Sequence, residues 1–303
     1  MKKTYLILPI LAGIMFGATG PFVRTFTENG FDTTTLLFAR FSISIFLVMI
    51  TILLTDKSLF KINLKSLPLL VICGICVVGL NLCYNVAINT IPLSIAATLL
   101  STAAIFVLIF AYIVFREKIT SKKLICVGLA IIGCILMTGA FEVNISGYSV
   151  IGIIFGIGAA LFWAAYLIVS KRAIETGNHP YTILFYSVIV ISIILLPFTD
   201  FNHISTFMTS DLTFAILLLI AHSLISFTLP YILTTISLNH IDSGIVSIIM
   251  SCVEPSSALI FGLILYNEIP TGLMFIGFVL TMLAIVMLSK IDMDSENELN
   301  EMA

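Results

Sequence analysis

Apolar residues run along this chain in long blocks with short polar punctuation. Ten blocks can be marked: 4–23, 35–55, 67–88, 93–115, 122–140, 148–170, 181–198, 212–238, 243–265 and 271–289. Most match the roughly 20 residues that a helix needs to cross about 30 Å of hydrocarbon. Inside a bilayer the backbone must pair with itself, so helices are the reading for runs this long. The run 181–198 is short. The run 212–238 is long and holds Pro230, which predicts a kink or a tilt. Lys2 and Lys3 ahead of the first run resemble the start of a signal peptide. That run is long, no clear small-x-small cleavage site follows it, and nine more runs come after. It reads as a retained first helix.

Composition agrees. Of 303 residues, 60% are hydrophobic and 10% charged, and the mean hydropathy is +1.18. A soluble domain carries about 25% charge, so a water-soluble globular enzyme is excluded. The net charge of −2 points to no partner. No basic patch with interleaved aromatics suggests nucleic acid. All six cysteines lie inside the apolar runs. Cys73 and Cys76 have CxxC spacing without a second ligand pair, and read as small core- or lipid-facing residues rather than a metal or redox site. No metal and no cofactor are expected.

Charge sets the orientation. With the N-terminus in the cytoplasm, the inner segments hold Lys2, Lys3, Lys57, Lys61, Lys65, Arg116, Lys118, Lys122, Lys123, Lys171, Arg172 and Lys290, which is 12 of the 14 basic residues. Only Arg24 falls outside, and Arg40 lies within the second run. This asymmetry predicts a multi-pass protein of the plasma membrane with both termini cytoplasmic. The stretch 291–303 reads as an acidic, polar cytoplasmic tail, expected to be disordered.

The two halves look alike. "FREKIT" (115–120) follows the fourth run and "YNEIPT" (266–271) the ninth, placing Glu117 and Glu268 151 residues apart. "NTI" (89–91) and "NHI" (239–241) precede the same two runs. Residues 1–141 and 142–290 therefore read as two five-helix copies. Five is odd, so the second copy enters the membrane from the opposite side. The predicted fold class is an all-α integral membrane protein of ten transmembrane helices arranged as two inverted five-helix repeats. The positive-inside distribution gives the same opposed orientation independently.

This layout resembles the EamA family of the drug/metabolite transporter superfamily. So does the second copy's "EPSSALIFGLILYNEIPT" (254–271), a Glu-Pro, an apolar helix half and a Glu before the last helix. The resemblance covers roughly residues 10–290. The first copy departs from it, with Ala103 and Ala104 where Glu and Pro would fall. The resemblance implies movement of small organic solutes and leaves the substrate open.

Glu254 lies mid-run, where an ionised group costs about 2.5–3.5 kcal/mol. Pro255 frees the carbonyl of Ser251, which a protonated Glu254 or the hydroxyls of Ser256 and Ser257 would satisfy. Two roles stay open for Glu254 and Pro255: support of a helix break, or coupling and substrate contact. Asn81, Asn85 and Asn89 share one helix face, with Tyr84 beside them. That face should look inward, toward neighbouring helices or toward a cavity. Gly152, Gly156 and Ala160 mark close packing, as do Gly13 and Gly17, while Trp163 and Tyr166 are candidate cavity aromatics. Arg40 either snorkels to the outer surface or attracts an anionic group. His222 is either a neutral hydrogen-bonded histidine or a titrating group. Glu117 and Glu268 suit the positive ends of the helices that follow them.

The substrate-binding candidates are thus Asn81, Tyr84, Asn85, Trp163, Tyr166 and Arg40, with Glu254, Pro255 and His222 for coupling or helix-break support. No nucleophile elbow, zinc motif or phosphate-binding loop is present. A secondary transporter working by alternating access, exporting amino acids or related metabolites, is expected. A lipid-modifying membrane enzyme using Glu254 and His222, or a non-transporting scaffold, are the alternatives. Expected partners are a small-molecule substrate and membrane lipid, without nucleic acid. A homodimer stays open.

Overall fold

The computed structural model describes residues 5–62, 66–91, 93–137, 149–267 and 269–301. Residues 141–147, expected to form an external loop, and Glu268 lie outside these. The described residues form helices joined by short turns, with no strand among them. Eight helical segments are long and apolar enough to cross a membrane, and Gly272–Met287 is a shorter apolar helix.

The first run forms α1 (Ile7–Gly17) and α2 (Thr19–Glu28), which continues five residues beyond the predicted end. Next come α3 (Thr33–Thr55) and α4 (Leu67–Thr90). Asp32 caps α3 by accepting a hydrogen bond from the N–H of Thr35 at 3.0 Å. The fourth run is split into α5 (Leu93–Ser101) and α6 (Ala103–Phe115), and α7 (Ser121–Met137) follows. The second half holds α8 (Val150–Glu175), α9 (Pro180–Leu195), α10 (Phe201–Ser210), α11 (Leu212–Ser223), α12 (Leu229–Leu238), α13 (Ser243–Tyr266) and α14 (Gly272–Glu301).

Four features differ from expectation or sharpen it. Pro230 is accommodated by one widened turn over Leu224–Thr228, closed by a hydrogen bond from the N–H of Leu229 to the carbonyl of Leu224. No break occurs at Pro255, where α13 runs straight through. The hydroxyl of Ser256 donates to Cys252 O at 2.6 Å and that of Ser257 to Val253 O at 2.8 Å. They bond the carbonyls after Ser251 rather than its own. α10 was not predicted. Its sequence is too polar for an apolar run, and it is held by Asp200, which accepts from the N–H groups of Asn202 and His203. Finally, α14 continues to Glu301, where a disordered tail was expected. No Gly or Pro follows Gly277 to stop it, and Glu, Leu and Met favour helix.

Helix packing exchanges the two halves. α1 packs on α12 and α13, and α8 packs on α4 and on α5–α6. α3 meets α9, and α7 meets α14, each being its own counterpart. Glycines permit the closest of these approaches. A Cβ added at Gly17 would lie 2.7 Å from the carbonyl oxygen of Glu254, and one at Gly133 would lie 2.9 Å from that of Gly277. Large apolar side chains such as Leu54, Ile113, Ile154 and Ile264 point outward, as a lipid-facing surface requires.

Candidate functional site

A cavity of about 940 Å³ opens between the halves. Phe16 and Thr19 reach it from the first span, Tyr84 from α4 and Trp163 from α8. Tyr231 comes from α12, and Met250, Ser251, Glu254 and Pro255 from α13. Arg24, Tyr266, Ile269 and Pro270 mark its mouth, at the ends of α2 and α13. The Arg24 guanidinium lies 4.2 Å over the Tyr266 ring and 3.5 Å from the Glu28 carboxylate.

The inner wall is aromatic. Trp163 stacks on Tyr166 with centroids 5.5 Å apart and planes 12° apart. Phe16 and Tyr231 present edges to the indole at 5.9 and 5.8 Å. Tyr166 is fully buried behind Trp163, its hydroxyl 3.3 Å from Thr235 Oγ1. Glu254 projects from α13 beside the Gly17 contact, and among the described residues its carboxyl has no hydrogen-bond or ion-pair partner. It is the acidic side chain of the described wall.

The other sequence candidates form a separate polar cluster. Buried Arg40 donates from Nη2 to Asn81 Oδ1 at 3.2 Å, its guanidinium 4.7 Å over the Phe41 ring and 5.8 Å over that of Phe227. Asn81 Nδ2 bonds Val77 O at 2.8 Å. Asn85 Oδ1 accepts from Thr33 Oγ1 at 3.2 Å and from Asn89 Nδ2 at 2.8 Å. The amide face of α4 therefore looks inward, onto α3, while Tyr84 turns to the cavity. Arg40 does not snorkel. His222 is buried, with Nδ1 3.0 Å from Ser226 Oγ and its other ring nitrogen without a hydrogen-bond partner among the described residues. Phe22 and Phe26 lie against its ring, and it is not on the wall that holds Glu254.

Ion pairs link the helices at the opposite end of the bundle. Lys171 Nζ, at the end of α8, lies 2.6 Å from Glu117 Oε1. The same oxygen accepts from the backbone N–H of Ser243 at 3.2 Å and from its hydroxyl at 2.8 Å. Lys123 pairs with Asp242 at 3.0 Å. Glu117 thus serves the positive end of α13, not of α7 as its position after the fourth run suggested. At 1.5 Å per residue, the 11 residues from Ser243 to Glu254 put this latch about 16 Å from the carboxylate.

Phe16, Tyr231 and Ser243 were not singled out by sequence, and Glu117 was read as serving the helix after it rather than as the partner of Lys171. Aromatics inside apolar runs carry no periodic mark. The acid–base spacing of the latch crosses 54 residues between Glu117 and Lys171. The basic residues flanking the runs were the available signal.

A bundle of apolar, membrane-length helices around a cavity between similar halves is an architecture that small-solute transporters use. The EamA-like transporter family model matches the chain twice, over residues 3–139 and 150–290, and the chain belongs to that family. The pseudopaline exporter CntI of Pseudomonas aeruginosa is 25% identical over 296 residues, 96% of this chain and 97% of that protein. The threonine/homoserine exporter RhtA of Salmonella typhimurium is 29% identical over 212 residues, 69% and 66% of the two chains. An uncharacterized transporter of Clostridium kluyveri is 27% identical, and the alignment spans 64% of this chain and 65% of that one. One solved crystal structure superposes with a TM-score of 0.78 at 13% identity, covering 96% of this chain and 98% of the other. At that identity the likeness speaks for the fold alone.

Proposed function

We propose that this protein exports small organic metabolites, amino acids or related compounds among them, across the plasma membrane by alternating access. The observation that carries this reading is the cavity itself, open at one end and closed at the other by the Glu117–Lys171–Ser243 latch. In this reading ten helices form two inverted five-helix repeats, the cavity mouth faces outside, and both termini are cytoplasmic. The exchange of helix contacts between the halves and the double match to the family model support it. The relatives named as exporters support the direction. Tyr84, Trp163 and Glu254 touch the substrate, and Arg40, Asn81 and Asn85 hold α3 against α4 behind that wall.

Solute flux in proteoliposomes tests the activity. Counterflow of a radiolabelled metabolite mixture is expected, and it should be lost when Trp163 is replaced by Ala. No flux of any metabolite with folded protein would refute transport. An impermeant thiol reagent on intact cells tests the orientation. Asn144→Cys in a cysteine-free background should label and Asn300→Cys should not, and the reverse pattern would overturn it.

A further inference from the structure

The cavity wall has a pronounced chemical bias. Its inner surface offers the faces and edges of Trp163, Tyr231, Phe16 and Tyr84, together with one carboxylate that has no partner among the described residues. A lone carboxylate on a largely apolar wall gains from an opposite charge delivered by a ligand, because the attraction is screened less there than in bulk water. Aromatic faces add attraction for the same sign of charge. The one cation among the described lining residues is Arg24, beside Tyr266 and roughly 18 Å along α13 from Glu254. Arg40 is held behind Phe41 and Phe227 and bonded to Asn81. Arg24 stands at the mouth, already stacked on Tyr266 and bridged to Glu28.

We propose that the cavity selects organic amines, with the ammonium on Glu254 and the apolar body against Trp163, Tyr231 and Phe16. This rests on the reading of the cavity as the substrate path, and it names the part of the substrate that is recognised. A free carboxylate on the ligand is not required. The ammonium decides binding, and the rest of the molecule is accepted by shape.

Trp163 is the only tryptophan in the chain, and it lies on the wall, so its emission reports occupancy directly. The purified full-length protein is titrated with benzylammonium, benzyl alcohol and benzoate, three probes of similar shape and different charge. Benzylammonium should bind at least about tenfold more tightly than either other probe, the factor expected for one desolvated charge pair. Glu254→Gln should reduce benzylammonium to the affinity of benzyl alcohol, and Glu254→Asp should keep the preference. Benzoate or benzyl alcohol binding as tightly as the amine overturns the proposal. So does a Glu254→Gln affinity for the amine within about twofold of the unaltered protein. If Glu254→Gln fails to fold, the order of the three probes on the unaltered protein still decides. The two readings fail separately. Amine-selective binding without flux of any solute removes transport and keeps the amine site. Flux of solutes with no charge order in binding keeps transport and removes the amine site.

Discussion

Replacing Lys171 with Met tests whether the charged latch holds one end of the bundle closed. The change keeps most of the side-chain length and removes the charge. Glu117 then keeps only the N–H and hydroxyl of Ser243. The side chains of Lys171 and Glu117 are 15% and 9% exposed and 2.6 Å apart. Removing one partner from a fully buried pair costs about 3–5 kcal/mol. Here water reaches the lysine, so the value for a charge-assisted hydrogen bond, about 2 kcal/mol, is the better guide. At about 1.4 kcal/mol per tenfold, a pair made only in the closed form then shifts the closed-to-open ratio roughly thirtyfold when it is lost.

Two single cysteines in a cysteine-free background read that shift. Ser247 lies one turn beyond Ser243 on α13 and is fully buried, whereas Ala258 lines the cavity. With Lys171→Met, thiol labelling of Ser247→Cys should rise by about ten- to thirtyfold and that of Ala258→Cys should fall. Glu117→Gln should do the same, and the double variant should add little, because the two residues act as one pair. Unchanged labelling of Ser247→Cys in a folded Lys171→Met protein would refute the latch. Fully additive single effects would show that the two residues stabilise the closed end independently.

Gly17→Ala should lower thermal stability by about 1–3 kcal/mol, since the added methyl meets the Glu254 carbonyl at 2.7 Å and the Ala258 nitrogen at 2.8 Å; an unshifted melting curve would contradict that approach of α1 to α13. Asn81→Ala should destabilise by about 1–3 kcal/mol, because the guanidinium of buried Arg40 loses its bonded acceptor; Trp163→Ala should instead cut ligand binding with folded yield retained, and normal binding by it would remove the indole from the site. Asp32→Ala should cost about 1 kcal/mol at neutral pH through loss of the α3 cap. Partial burial pushes the Asp32 carboxyl up, but hydrogen bonds from Thr34 and Thr35 outweigh it and leave the group below the ordinary carboxylate value of 3.8. The Asp32 contribution is therefore complete above that value and disappears as pH falls through the lowered one; a difference between the two proteins that persists in stronger acid would contradict the assignment.

The spanning segments were legible because hydropathy alone separates them, and the boundaries of α3, α4 and α13 fall within a few residues of the apolar runs. α10 escaped because "FNHISTFMTS" is neither apolar enough for a span nor charged enough for a solvated loop. Of the candidate site residues, Glu254, Pro255, Tyr84 and Trp163 lie on the cavity wall. Each was visible as something expensive or unusual within hydrocarbon. Arg40, Asn81 and Asn85 were visible for the same reason, but their partners are not. Arg40 meets Asn81 across 41 residues and Asn85 meets Thr33 across 52, and neither pairing leaves a mark on local sequence. A polar residue in an apolar run announces that it faces inward. Whether it faces a neighbour or a cavity is decided by helix rotation, which the run does not encode.

The two halves show how little a proline decides by itself. Counted across the repeat, Ala103 is the counterpart of Glu254 and Ala104 that of Pro255. Yet the helix is interrupted in the first half, between Ser101 and Ala103, and continuous in the second. In the first half the hydroxyls of Ser101 and Thr102 bond the carbonyls of Thr98 and Leu99, three residues back, and the chain turns out of register there. In the second, Ser256 bonds Cys252 O four residues back and Ser257 bonds both Val253 O and Glu254 O, and the helix runs on past the missing N–H. The residues at the counterpart positions then take opposite places. Ala103 and Ala104 are buried in the packing of α6, while Glu254 stands on the cavity wall. A duplicated scaffold has thus kept its helix contacts in both halves and its mid-membrane carboxylate in one. Among the described lining residues Glu254 meets no second carboxylate, and in the amine-selective reading proposed above that leaves it to be matched by a ligand.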